Sequence, residues 1–384
     1  MATLRIRNFA HLADVSIDLG DLTILVGPQG TGKSLALQWL KVALDGKQIV
    51  SALRDAGQNV STPGFLIDLI FGVGMGPAWN GSTSVSFDKT RIRPQSIGKL
   101  GRGKEKVFFI PAHRAMLISD GWAAPFQKLT AETPVVARLF SQNLFDRFSA
   151  RGGNELFPLN RVLKEGYRKL IDDAVFHGGK VGVEEDSQHA KRLRLTHAST
   201  HGPMQLPFMT WTAGQREFTP LLLGLYHLLP SRRMLKQSDI QYVVIEEPEM
   251  GLHPQAVTVF MLLVLDLLWR GYKVVLSTHS PIVLTVGWML RRMRETRARW
   301  QLVCDAFEVE KRGDLKKVAE AALTKTVRTH FLKFESDGRV YSKDVSTLDP
   351  DSEDEDISGW GGLTGFTSRF GEAVRRAANE EPSK

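Results

Sequence analysis

The sequence predicts an α/β protein whose central sheet carries a phosphate-binding loop, and three observations point there. An apolar run at residues 22–26 leads into Gly27-Pro28-Gln29-Gly30-Thr31-Gly32-Lys33-Ser34, and residues 34–44 continue with apolar positions at helical spacing. A second run, 241–245, ends in Glu246-Glu247. A third, 273–277, ends in Thr278-His279-Ser280. Apolar runs without alternation are the pattern of strands covered on both faces, as in parallel sheets. Such sheets gather their ligand-handling groups at the carboxyl ends of the strands.

The first stretch fits G-x-x-x-x-G-K-[ST] at every fixed position. Its glycines let successive backbone N–H groups turn inward as an anion nest. The following helix presents its positive end to the same point. In that arrangement Lys33 reaches the β- and γ-phosphates and Ser34 reaches Mg²⁺. Strand, glycine loop and helix are the context the motif requires.

Before the loop, residues 4–7, 14–19 and 22–26 read as three short strands, the first two by alternation. The Asn8-Phe9 turn is placed either against an adenine or, with Phe9, in the core. Gly46 is expected to end the first helix, with more helix over 48–71 broken at Thr62-Pro63-Gly64. Residues 72–81 read as loop and 82–87 as a strand. A basic stretch follows: Lys89, Arg91, Arg93, Lys99, Arg102, Lys104 and Lys106. Residues 106–110 form a buried strand ending at Pro111-Ala112-His113-Arg114. Helical spacing occupies 135–148 and 159–176, and three strand-like segments lie near 180–183, 192–196 and 204–209. Thr212-Ala213-Gly214-Gln215 opens an apolar helix over 218–229. Gly251-Leu252-His253-Pro254 starts another, reaching Trp269. Beyond Trp300 the expected order is strand, helix (314–323), strand (328–334), a hairpin at Asp337-Gly338, a solvated acidic loop (349–356) and a last helix (366–379).

The chain has 384 residues, is 42% apolar and 24% charged, and has a net charge of +8. The longest apolar stretch, 256–269, holds Thr258 and Asp266 and is too short to span a bilayer. No leader pattern opens the sequence. Cys304 is the only cysteine, which excludes an internal disulfide and a cysteine-based zinc site. The expected location is cytoplasmic, with no membrane partner. The basic balance fits either a nucleic-acid partner or a plain basic surface. A second cluster, Arg291, Arg292, Arg294, Arg297 and Arg299, sits on an expected helix.

Taken alone, each motif has a plain reading: a strand-end charge pair for Glu246 and Glu247, a core histidine for His279, a helix start for Thr212. In their fixed order they resemble the ABC-type ATPase heads of the SMC, RecF and OLD group, nearest the small bacterial OLD-like, phage-defence ATPases without a nuclease domain. That group's Glu-Glu-Pro-Glu-x-x-Leu-His-Pro stands here as residues 246–254, and Leu4-Arg5-Ile6-Arg7-Asn8-Phe9 is similar to its first strand. The resemblance carries specific motifs over residues 1–45 and 205–285.

It implies a P-loop NTPase fold of ABC-ATPase head type, with a mixed central sheet, an N-terminal antiparallel β layer and an inserted helical subdomain. It implies ATP and Mg²⁺ as cofactors. Gly27 through Ser34 bind phosphates, and Ser34 and Glu246 serve the metal. Glu247 is the candidate base, and His279 the histidine contacting the γ-phosphate. Thr212, Ala213, Gly214 and Gln215 match a turn that reaches the nucleotide held by a second copy, so that two heads sandwich two ATP molecules. Gln29 stands where relatives usually have Asn, and Glu246 where Asp is commoner. Gln95 and the Pro111–Arg114 turn compete for the place of the group's glutamine loop.

The expected organisation is an ATPase core in two parts (1–115 and 204–335) around an insertion (116–203), with a C-terminal extension (336–384). The expected function is an ATP-hydrolysing dimer that regulates a separate effector, such as a nuclease, in phage defence or DNA repair. The alternative is a nucleotide-gated clamp on DNA or protein with little hydrolysis.

Overall fold

The computed structural model describes residues 2–150, 155–158, 163–185, 190–200, 202–229, 236–237 and 239–380. Strands β1 (Ala2–Phe9) and β2 (Leu12–Leu19) form a hairpin, and β3 (Leu22–Val26) leads into the glycine loop. Helix α1 (Lys33–Asp55) follows, then α2 (Pro63–Phe71), β4 (Ser84–Phe87), β5 (Thr90–Ile92) and β6 (Val107–Ile110).

Next come β7 (Ile118–Ser119), β8 (Trp122–Ala123), α3 (Val135–Ala150), β9 (Glu155–Phe157) and α4 (Glu165–Ile171). Strands β10 (Lys180–Glu185), β11 (Lys191–His197) and β12 (Met204–Pro207) precede α5 (Ala213–Leu228). The unit β13 (Tyr242–Glu246), α6 (Pro254–Trp269), β14 (Lys273–Ser277), α7 (Pro281–Glu295) returns to the core. The chain continues with α8 (Gln301–Ala306), α9 (Gly313–Ala322), β15 (Val327–Phe334), β16 (Val340–Asp344), α10 (Glu355–Ser358) and α11 (Gly365–Glu380).

One ten-stranded mixed sheet orders them β5-β4-β1-β2-β16-β15-β3-β14-β13-β6. Strands β15, β3, β14, β13 and β6 run parallel to their neighbours within this set. The β1–β2, β1–β4 and β4–β5 pairs are antiparallel. The antiparallel layer is therefore not a separate sheet. The β15–β16 hairpin, turning at Asp337-Gly338, joins it to the parallel part through β16–β2 and β15–β3. All five residues of β3 and all five of β13 are buried, which is why both read as unbroken apolar runs.

Between β6 and α5 lies a four-stranded antiparallel sheet, β12-β11-β10-β9, beside α3 and α4. Its apolar side chains, Val181, Leu193 and Leu195 among them, share one core with α5 and α6. A second core, around Phe9, Trp39 and Phe71, fills the space between the N-terminal strands and α1–α2.

Several expectations change. Gly46 does not end α1. The helix kinks at Asp45 (φ −125°) and continues to Asp55. The Asp45 carboxylate accepts from Lys106 N and Val107 N and pairs with buried Lys41. These tertiary bonds outweigh the local propensity of glycine. Helix 159–176 reduces to α4 and a turn of π-helix over Asp172–Phe176, and residues 159–162 lie outside the described set. Strand β9 carries no alternation long enough to read. The 349–356 segment is not simply solvated: Asp354 and Asp356 hold Lys343, and Asp356 also holds Lys333.

Candidate nucleotide site

The glycine loop bends because three of its residues sit at positive φ: Gly27 (151°), Gly30 (77°) and Gly32 (76°). At Gly27 a side chain is excluded twice, since a Cβ there would stand 2.1 Å from the Leu332 carbonyl oxygen on β15. Gly30 faces open space, with nothing within 4 Å of its would-be Cβ. The N-terminus of α1 has no side-chain cap, so its first N–H groups face the loop unclaimed by a cap. Thr31 closes the loop by donating to the Pro28 carbonyl at 2.8 Å.

Lys33 is 6% exposed and donates from Nζ to the carbonyls of Gly27 (2.8 Å) and Pro28 (2.9 Å). Burial lowers its pKa to about 8, against the opposing pull of Glu247 and Glu249. An arriving phosphate would supply the missing counter-charge.

Glu246 ends β13, 5% exposed, and burial raises its pKa to about 7. The Ser34 hydroxyl and the Ala112 N–H oppose that rise, the latter donating to Oε2 at 3.3 Å. Oε1 is buried and has no formed hydrogen bond. A buried acceptor left open beside a serine hydroxyl fits a Mg²⁺ ion. Among the described residues no cluster of three His, Cys, Asp or Glu side chains could hold a metal, so the ion's other ligands would be phosphate and water.

Glu247 lies one residue beyond the strand in the left-handed region, at φ 41°. That conformation is rare for a side chain other than glycine, asparagine or aspartate and clusters at functional turns. Three contacts hold its backbone: its N–H donates to the Ser277 carbonyl (2.9 Å), and its own carbonyl accepts from Met250 N (3.2 Å) and from Arg114 (3.4 Å). Its carboxylate faces His279, with Oε1 to Nε2 at 3.6 Å, too long for a formed hydrogen bond. The His279 ring still holds the carboxyl below its usual pKa, burial opposes this, and Lys33 and His113 add to the lowering.

His279 is positioned through its backbone. Glu249 Oε1 accepts from His279 N (2.6 Å) and from the Thr278 hydroxyl (2.8 Å). Ser280 then caps α7, accepting from Ile282 N. In the same way His253 caps α6, accepting from Gln255 N at Nδ1.

Behind these groups stands Arg114, with its side chain fully buried. Its guanidinium donates to the carbonyls of Pro111, Ala112, Glu217, Glu246, Glu247 and Pro248. Burial lowers its pKa to about 10 against the pull of Glu217 and the acidic turn. Sequence reading singled out the turn containing Arg114 but not this role. The Pro111–Arg114 turn adjoins Glu246 through Ala112 N, whereas Gln95 lines a separate cleft with Arg54, Thr62 and Pro63.

Lys33, Ser34, Glu246, Glu247 and His279 therefore gather at one end of the sheet. Thr212, Ala213, Gly214 and Gln215 do not join them. Thr212 caps α5 in a capping box with Gln215, whose Nε2 donates to the Val175 carbonyl. Gly214 packs against the Gly251 carbonyl of the acidic turn. Thr212 and Ala213 are exposed. Phe9 is fully buried against Trp39 and Phe71, which settles its place in the core rather than against a base.

The family model described as "AAA domain, putative AbiEii toxin, Type IV TA system" matches residues 126–285. That span holds Thr212, Glu246, Glu247 and His279 but not the glycine loop. No curated protein matches the chain. Solved structures similar to it include the SMC head domain from Thermotoga maritima (14% identity, 89% of this chain and 97% of that one, TM-score 0.35). The SmcHead bound to the C-winged helix domain of ScpA is another (12%, 89% and 96%, TM-score 0.42). A third is the dimeric post-hydrolysis ATP-binding cassette MJ0796 bound to ADP and Pi (14%, 72% and 88%, TM-score 0.32). With its mixed sheet and the glycine loop at the end of β3, the chain has the α/β fold of a P-loop NTPase, and over residues 126–285 it is similar to the family described as an AAA domain.

Proposed function

We propose that this protein binds and hydrolyses ATP, closes as a dimer over the bound nucleotide, and thereby regulates a separate effector. The observation that carries the reading is the convergence of Lys33, Glu246, Glu247 and His279 on the glycine loop. In this reading the loop amides and Lys33 bind the β- and γ-phosphates, and Ser34 and Glu246 hold the metal. Bound Mg²⁺ supplies charge neutralisation between the phosphates. Glu247, ionised and angled out of the strand, orients and deprotonates the attacking water. His279, beside Glu247, would hydrogen-bond the γ-phosphate. The helix start at Thr212, whose exposed part is Thr212 and Ala213, presents its first amides to the nucleotide of a second copy, with the Gln215 N–H taken by the Thr212 cap.

Lys33→Ala is expected to abolish ATP binding, measured by calorimetry on the full chain. Retained affinity would remove the loop from the site. The effector role, in OLD-like phage defence or DNA repair and with a nuclease as the partner, rests on analogy with the resembled group, so copurification with the product of a neighbouring gene is the test for it.

One observation favours the clamp reading. Arg291 and Arg294 of α7 meet Lys325 and Arg328 around a cleft of about 420 Å³. Part of this charge is already paired: Arg291 with Glu295 and Arg328 with Asp344. If the cleft grips a nucleic-acid backbone, affinity for duplex DNA falls steeply between low and moderate salt and depends on ATP. An absence of binding in either nucleotide state leaves these residues as ordinary surface.

A further inference from the structure

Two hairpin tips meet beside the glycine loop. The β1–β2 turn holds Ala10 and His11, and the β15–β16 turn follows Phe334. They are tied together: Val340 N donates to the His11 carbonyl at 2.9 Å, and Arg339 Nη2 donates to Asn8 Oδ1 at 2.9 Å. The position relative to the loop is fixed from both sides. His11 Nε2 would stand 2.9 Å from a Cβ on Gly32, and the Leu332 carbonyl, two residues before Phe334, closes on Gly27. His11 Nε2 is buried beside the backbone of Gly30 in the loop.

Phe334 is 47% exposed although it ends an otherwise well-covered strand. Its ring lies roughly parallel to that of His11, with centroids 6.1 Å apart and planes at 30°. An exposed aromatic face, held by two braced hairpins next to an anion nest, is a stacking surface placed where a nucleotide's base would follow its phosphates. Phe9 and Trp39, the aromatic residues on either side of the loop in sequence, are unavailable because both are fully buried.

We infer that Phe334, supported by His11, is the platform on which the purine base of the bound nucleotide stacks. The inference rests on the nucleotide-binding reading above. It adds that base recognition comes from the C-terminal strand β15, some three hundred residues from the loop that holds the phosphates. Stacking selects for π-surface area, so it favours purine over pyrimidine nucleotides without reading base edges.

The test titrates ATP, CTP and inorganic tripolyphosphate, each with Mg²⁺, onto the full chain. Phe334→Ala should weaken ATP on the order of tenfold, the loss of one base–aromatic stack. CTP should weaken less and tripolyphosphate not at all, and Phe334→Tyr should restore ATP affinity. Equal weakening of ATP and tripolyphosphate would overturn the platform and make Phe334 a packing residue for the loop. Unchanged ATP affinity would also overturn it. Failure of the underlying reading looks different: wild-type chain would then bind neither ATP nor tripolyphosphate, or Lys33→Ala would bind both.

Discussion

Replacing Glu247 with Gln is expected to leave ATP binding intact and to slow hydrolysis by roughly 10²–10⁴-fold, the usual worth of a positioned general base. The side chain keeps its size and its left-handed backbone, and the loop contacts of Lys33 do not pass through it. What is lost is the ionised carboxylate that His279 and Lys33 keep below its normal pKa. With turnover blocked, ATP-bound dimers should accumulate. Phosphate release in a single turnover, together with mass by light scattering, checks both parts. Unchanged turnover would place the base elsewhere, and a strictly monomeric ATP complex would remove the sandwich.

Arg114→Met should be the most destabilising single change near the site. It leaves six backbone carbonyls without their shared donor and Glu217 without its buried ion-pair partner. Breaking such a buried cation network costs about 3–5 kcal/mol. Urea unfolding of the wild type and variant measures it. Arg114→Lys should recover only part, because a point charge cannot fork to carbonyls on three segments. The same change should depress hydrolysis beyond its effect on folding, since Arg114 holds the Glu247 carbonyl in its uncommon turn. A small stability loss would show that the turn's other contacts, to Ser277, Thr278 and His279, hold it without Arg114.

Much of the site was legible because its chemistry sits at strand ends. Leu22–Val26 and Tyr242–Glu246 are buried on both faces, so their apolar runs were unmistakable and the polar residues that stop them stood out. Thr212 and Gln215 form a local capping box, which sequence spacing reports directly. Contacts that span the chain were not legible. Nothing near Arg114 announces that four of its acceptors lie on two distant segments, Glu217 and Glu246–Pro248. Glu249 gave no hint that it fixes the His279 backbone. The helix through Gly46 was misread because Asp45 is held by Lys106 and Val107, sixty residues on. Phe334 passed unnoticed because an aromatic residue ending a strand is ordinary until its neighbours are known.

The ten-stranded sheet has a bearing on biogenesis. On one flank of β3 stands β14, and on the other β15, whose last residue is Phe334 of a 384-residue chain. During synthesis the glycine loop emerges well before β14 and β15, the two strands that flank β3. Contacts of such sequence separation close slowly. A nascent chain that stops short of β15 therefore holds the loop without one of its walls, and the nucleotide binding proposed above waits on the emergence of residues 327–334.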